Sequence, residues 1–145
     1  MESRLIMKRL VEDSQAKEII LGKLIDKFVN SDYTFKNPVT GGIRLIWCNF
    51  RNECKVYSTE ELFQSQLKID GNVYFYNERT QELFLCDFRT VQSYVNNLEP
   101  WDEIDAEIFD DNLEWIIAVT HEDVSMVYGV DVMIDEYNYE KYMEQ

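Results

Sequence analysis

Reactive chemistry near neutral pH needs a side chain that trades a proton, holds a metal or attacks as a nucleophile, and this chain carries few candidates. His121 is the sole histidine, set in Thr120-His121-Glu122-Asp123 at the end of an apolar run. Histidine changes charge more readily than any other side chain at this pH, so His121 is the candidate general base or metal ligand. No second histidine exists to build a zinc site around it, and no nucleophile motif accompanies it. A histidine at a strand end, hydrogen-bonded to a neighbour, is therefore the simpler expectation.

Cys48 and Cys54 are separated by five residues, wider than the usual spacing of a zinc knuckle, and Cys86 stands apart. A dyad of Cys48 or Cys86 with His121 stays open, although the apolar surroundings favour reduced, buried, inert thiols. The five glycines form neither a phosphate-binding loop nor a dinucleotide fingerprint. Residues 102–114 lack the central glycine and alternating oxygen ligands of a calcium loop. Nothing in the carboxylate spacing specifies a glycosidase pair. No catalytic residue, metal or cofactor is assigned, and a role without catalysis is expected.

The most distinctive chemistry is acid left without a counter-ion. Residues 1–60 hold ten Lys/Arg against eight Asp/Glu, whereas residues 61–145 hold four against twenty. Between Arg89 and Lys141 no basic side chain occurs, yet fourteen carboxylates do. Asp102, Glu103, Asp105, Glu107, Asp110, Asp111 and Glu114 are concentrated in one short stretch. In a strand, alternate residues face opposite sides, which puts Asp105 and Glu107 with Phe109, and Ile104, Ala106 and Ile108 on the other face. Burying like charges unpaired costs several kcal/mol, so these acids are expected to form a solvent-facing ridge. Asp110, Asp111 and Glu114 would extend it, with Glu122 and Asp123 nearby if the strands pair as a hairpin. Such a ridge either maintains solubility or docks a basic protein surface. Nucleic acid would be repelled, since the Lys17, Lys23, Lys27 stripe is too short to outweigh it.

The elements that carry these residues follow from periodicity and turn chemistry. A chain of 145 residues that is 46% hydrophobic fits a single folded domain despite a net charge of -14. Residues 1–30 are expected to be helical, as one helix or two: Ala16, Ile20, Leu24 and Phe28 recur every fourth residue, and Asp13 or Ser14 is available as a cap. Residues 43–130 are expected to hold a sheet with two helices. Its strands would be Ile43 to Phe50, Asn72 to Tyr76, Glu82 to Cys86, Ile104 to Phe109, Leu113 to Thr120, and perhaps-strand Met126 to Val130 as a seventh segment of the pattern is left open. Ser58-Thr59-Glu60-Glu61 fits a capping box for a helix to about Leu67. Asp87 is placed to cap another whose Phe88, Val91, Tyr94, Val95 and Leu98 share a face, with Pro100 beyond its end. Leu113 to Thr120 is nearly all apolar and should be buried on both faces. Residues 131–145 form an acidic tail anchored by Tyr137, Tyr139 and Tyr142. The order of elements predicts an α+β fold with an antiparallel or mixed sheet and helices packed on one side. No apolar run is long enough for a membrane span or a signal peptide, and the odd number of cysteines fits a reducing, cytoplasmic setting.

Val73-Tyr74-Phe75-Tyr76, the segment ending at Trp101, Ile108-Phe109-Asp110-Asp111-Asn112-Leu113-Glu114-Trp115 and Thr120-His121-Glu122-Asp123 together resemble a group of small acidic bacterial proteins. In that group a strand bearing Trp ends in Thr-His-Glu, and several members are regarded as immunity proteins of polymorphic toxin systems. The resemblance spans residues 72–123, with Trp47 on its own segment besides. It implies a binding protein with the Trp115 to Glu122 strand as scaffold, and it transfers no catalytic residue.

Charge and resemblance together lead to the expectation of an acidic immunity or inhibitor protein that neutralises a basic partner such as a nuclease toxin. Exposed aromatics such as Trp101, Phe109 or Tyr128 would serve as anchors. The alternatives are a phage or mobile-element inhibitor that mimics DNA charge, a small enzyme using His121, and a housekeeping regulator.

Overall fold

Seven antiparallel strands form one sheet in the order β1-β4-β3-β5-β6-β7-β2. The structure, a computed structural model, describes residues 9–137. The strands are β1 (Arg9–Leu10), β2 (Lys55–Ser58), β3 (Asn72–Asn77), β4 (Glu82–Asp87), β5 (Ala106–Phe109), β6 (Ile116–Val119) and β7 (Val124–Tyr128). The helices are α1 (Ser14–Phe28), α2 (Thr59–Gln64) and α3 (Phe88–Asn96). The expected α+β class with an antiparallel sheet is what forms.

Local chemistry accounts for the helix starts. The Asp13 carboxylate accepts from the backbone N–H groups of Gln15 and Ala16, which fixes the start of α1 at Ser14 and separates it from β1. Among the described residues the N-terminal third therefore holds one helix; expectations for Leu5 and Ile6 lie outside them. Ser58 Oγ accepts from Glu61 N at 3.4 Å and starts α2. Asp87 occupies the N-cap position of α3 without a side-chain capping bond.

Side-chain alternation along the strands builds two cores. Phe75, Cys86, Ala106, Ile108, Ile117 and Val119 face Leu62 and Phe63 of α2 and Phe88, Val91 and Val95 of α3. Tyr76, Leu83, Phe109 and Ile116 face Leu24 and Phe28 of α1. The expected packing of helices on one side holds for α2 and α3, while α1 covers the opposite face. The central strands β5 and β6 are consequently buried on both faces.

The segment expected to be a strand from Ile43 to Phe50 instead makes a 3-10 turn at Ile46–Asn49. Its apolar residues follow no ladder, and the turn is held from below by side chains described in the next subsection. Lys55–Ser58, not singled out in the sequence, supplies the edge strand β2 through pairing with β7. Tyr137 continues this edge by donating its backbone N–H to Val56 O at 2.7 Å; expectations for Tyr139 and Tyr142 fall outside the described residues.

Gly129 follows β7 with φ +80°, and a Cβ there would lie 2.3 Å from Glu114 O and 3.0 Å from Trp115 Cα. Gly129→Ala should therefore cost about 2 kcal/mol or more, since backbone strain and a backbone clash act together. A chemical-denaturation midpoint unchanged from the parent would contradict this close approach.

Candidate functional site

The β5 strand and the two residues before it place three carboxyls in the interior. Asp105 is 1% exposed, Glu107 is fully buried, and Glu78, just past β3, is 4% exposed. The expected ridge is thus corrected at Asp105 and Glu107. Their alternation with Ile104, Ala106 and Ile108 is as read, but the face they share with Phe109 is covered rather than solvated. Phe109, expected as an exposed anchor, is 1% exposed and stacks on Tyr74 at 5.4 Å.

Each buried acid has an identifiable means of support. Asp105 Oδ1 accepts from Trp47 Nε1 at 2.9 Å and from His121 N at 3.2 Å, and meets His121 Nδ1 at 2.9 Å. Its other oxygen accepts from Arg79 Nε at 2.9 Å. Burial alone would raise the Asp105 carboxyl, but the bonds from His121 and Trp47 outweigh it and hold the group below its ordinary value of 3.8. Glu78 Oε1 accepts from Ile46 N at 2.7 Å. Together Glu78 and Asp105 therefore pin the 46–49 turn onto the sheet.

Glu78 Oε2 and both Glu107 oxygens meet no N–H or hydroxyl donor among the described residues. Burial, and then the facing Glu78 carboxylate, push Glu107 well above its ordinary 4.5, and burial also raises Glu78. A proton held between the two carboxyls gives Glu78 Oε2 and one oxygen of Glu107 a partner and removes one buried charge. The pair is a structural element enclosed by the turn, and it is not aimed into any cleft.

The β6–β7 turn presents the Thr-His-Glu-Asp motif. Thr120 Oγ1 donates to Val124 O at 2.7 Å and accepts from Glu122 N at 3.2 Å, which folds the tip tightly. Asp123 adopts φ +63° there. Thr59 N donates to Asp123 O at 3.1 Å, and the Thr59 and Ser125 hydroxyls bond each other at 2.8 Å, joining α2 to the turn. His121 lies with its ring edge to face against Trp47, centroids 5.8 Å apart. Asp105 takes its Nδ1, so Nδ1 carries the hydrogen in the neutral ring, and no protein partner is found for Nε2 among the described residues.

A cleft of about 720 Å³ opens between α2, the end of α3, the α3–β5 loop and this turn. Glu60, Glu99, Asp102, Glu122, Asp123 and His121 line it along with the apolar Val95, Leu98, Ile104 and Val119. No Lys or Arg is among its lining residues. Trp101, 76% exposed, stands between the lining residues Pro100 and Asp102.

The expected acidic set therefore divides. Asp102, Glu122 and Asp123 gather at the cleft, and Glu103 beside them is paired with Arg79 at 3.2 Å. Asp110, Asp111 and Glu114 sit at the opposite end of the β5–β6 hairpin, where Asp110 and Asp111 share a small crevice with Lys23 of α1. Asp105 to Asp110 spans on the order of 15 Å along the strand, so the two groups do not make one continuous face. Glu60 and Glu99, which sequence reasoning missed, join the first group only because the fold brings α2 and the α3–β5 loop beside the turn.

The cysteines offer no nucleophile. Cys86 is fully buried and Cys54 is pushed up to about 11 by burial. Cys48 is exposed, which corrects the expectation of burial, because it lies on the outer side of the 46–49 turn. Burial first, then the charges of Glu78, Asp105 and Glu122, raise its thiol, so the reactive thiolate is disfavoured. No group of three or more potential metal ligands occurs among the described residues, and no described helix is long and apolar enough to cross a membrane. No protein-family model, curated protein or solved structure significantly matches this chain.

Proposed function

We propose that this is a cytoplasmic, non-enzymatic binding protein of the immunity or inhibitor type, which masks a basic partner such as a nuclease toxin. One observation carries the reading: five carboxylates converge on a cleft with no lysine or arginine among its lining residues. Negative potentials add within a concave, low-dielectric wall, so the cleft attracts a cationic surface and raises its rate of encounter. Trp101 at the rim adds the kind of aromatic surface that anchors protein interfaces. Mimicry of DNA is less well supported, because burial of Asp105 and Glu107 breaks the row of charges such a mimic needs.

The test is affinity capture at low and moderate salt with three proteins. One is the parent, one carries Glu60→Lys, Asp102→Lys and Glu122→Lys, and one carries Asp110→Lys, Asp111→Lys and Glu114→Lys. Capture of a basic protein by the parent and the second-end variant, lost in the cleft variant, is expected. The captured protein's nuclease or toxic activity should fall when the parent is added back. Equal capture by all three would exclude the cleft.

A second reading, a small enzyme with His121 as general base, is favoured by the Asp105–His121 contact of 2.9 Å, which orients the ring toward a cleft. Titration separates the two. A binding protein suppresses its partner's activity up to an equimolar end point, whereas an enzyme inactivates it well below equivalence.

A further inference from the structure

The geometry points to an arginine side chain, presented on an extended segment of the partner protein, as the specific occupant of the cleft. This rests on the reading of the cleft as a site for a basic protein, and it names the chemistry of recognition.

Two properties of the cleft select the occupant. The first is its layering. Val95, Leu98, Ile104 and Val119 supply apolar wall while Glu99 and Glu122 supply charge. A long side chain with an aliphatic stem and a cationic head matches that sequence, since its methylenes cover apolar surface while its charge meets the acids. A flat basic surface would leave the apolar wall unfilled.

The second property is hydrogen-bond polarity. Asp105 is buried and binds His121 Nδ1 at 2.9 Å, so in the neutral ring the hydrogen is on Nδ1 and Nε2 is an acceptor. This acceptor is independent of the carboxylates, and it lies in the same cleft. The ionised carboxylates also accept only. A guanidinium offers five N–H donors in a fixed plane and no acceptor, whereas an ammonium offers three at one point. Several separated acceptors therefore favour arginine over lysine.

The probes are three peptides, acetyl-Gly-Xaa-Gly-amide, with arginine, lysine or the uncharged citrulline at Xaa. Each is titrated at neutral pH into the nitrogen-15-labelled full chain, with amide shifts as the readout. The arginine peptide is expected to shift residues 98–102 and 120–124 and to bind about tenfold more tightly than the lysine peptide. Citrulline should give no saturable shift. Glu99→Gln with Glu122→Gln, both solvent-accessible changes that leave the core intact, should weaken the arginine peptide by about tenfold or more. Equal binding of all three peptides, shifts centred on Asp110 and Asp111, or no effect of the double variant would overturn the assignment. Loss of arginine selectivity with charge-dependent capture of a basic partner retained would sink this inference alone. Loss of that capture in the parent would sink the reading beneath it.

Discussion

Asp105→Ala should destabilise the protein by about 3–5 kcal/mol, the range expected when one partner of a buried charged network is removed. The substitution leaves Trp47 Nε1, His121 N and the His121 ring without their shared acceptor, and it frees Arg79. Arg79 is partly exposed and water can replace its bond, but Trp47 and the His121 backbone N–H are more enclosed. Domains are stable by only about 5–15 kcal/mol, so a loss of this size takes a large share of the margin. Chemical denaturation measures it, and Trp47 fluorescence should report release of the 46–49 turn. Asp105→Asn should fall between the two, because one acceptor oxygen is retained while an N–H₂ group faces Arg79. A change below about 1 kcal/mol for the alanine variant would mean that the carboxylate does not hold the turn.

Glu107→Gln should do the reverse at alkaline pH, stabilising the fold by about 2 kcal/mol, the scale on which neutral replacements relieve buried charge. The sign follows from proton uptake. Glu107 is raised in the folded state, so folding binds a proton that the unfolded chain has released above its ordinary 4.5. That stability is fully present below pH 4.5 and falls as pH climbs toward the folded value, by at most about 1.4 kcal/mol per pH unit for one proton. Asp105 acts in the opposite sense. Its folded value is depressed below 3.8, so its contribution is present above that pH and lost as acid is added below it. Stability should therefore peak in mild acid and decline through neutrality. In Glu107→Gln the decline should flatten, as seen in melting temperatures across a pH series. An unchanged slope would show that Glu107 is already ionised in the folded protein.

The sequence was legible where structure is local. The β3–β4 hairpin, α3 and the doubly buried β6 follow from alternation, capping positions and Pro100. Alternation also paired Asp105 and Glu107 correctly with Phe109. What it could not supply was the cover over that face, which comes from α1 and from the 46–49 turn, far away in sequence. Phe109 carried the available signal, since an aromatic sharing a face with two acids argues for a covered face. Ile43 to Phe50 has strand-like composition, but the bonds from Ile46 and Trp47 to distant carboxyls decide its conformation. Of the expected acidic site, Asp102, Glu122 and Asp123 come together, and Glu60 and Glu99 are added by packing that no local pattern encodes.

Where a cationic partner docks can be read from zero-length carbodiimide cross-linking of the complex, followed by mapping of the joined residues. Links from partner lysines to Glu60, Glu99, Asp102, Glu122 or Asp123 are predicted, and they should disappear at high salt as the encounter weakens. Links confined to Asp110, Asp111 and Glu114 at the far end of the hairpin would contradict the cleft as the binding site.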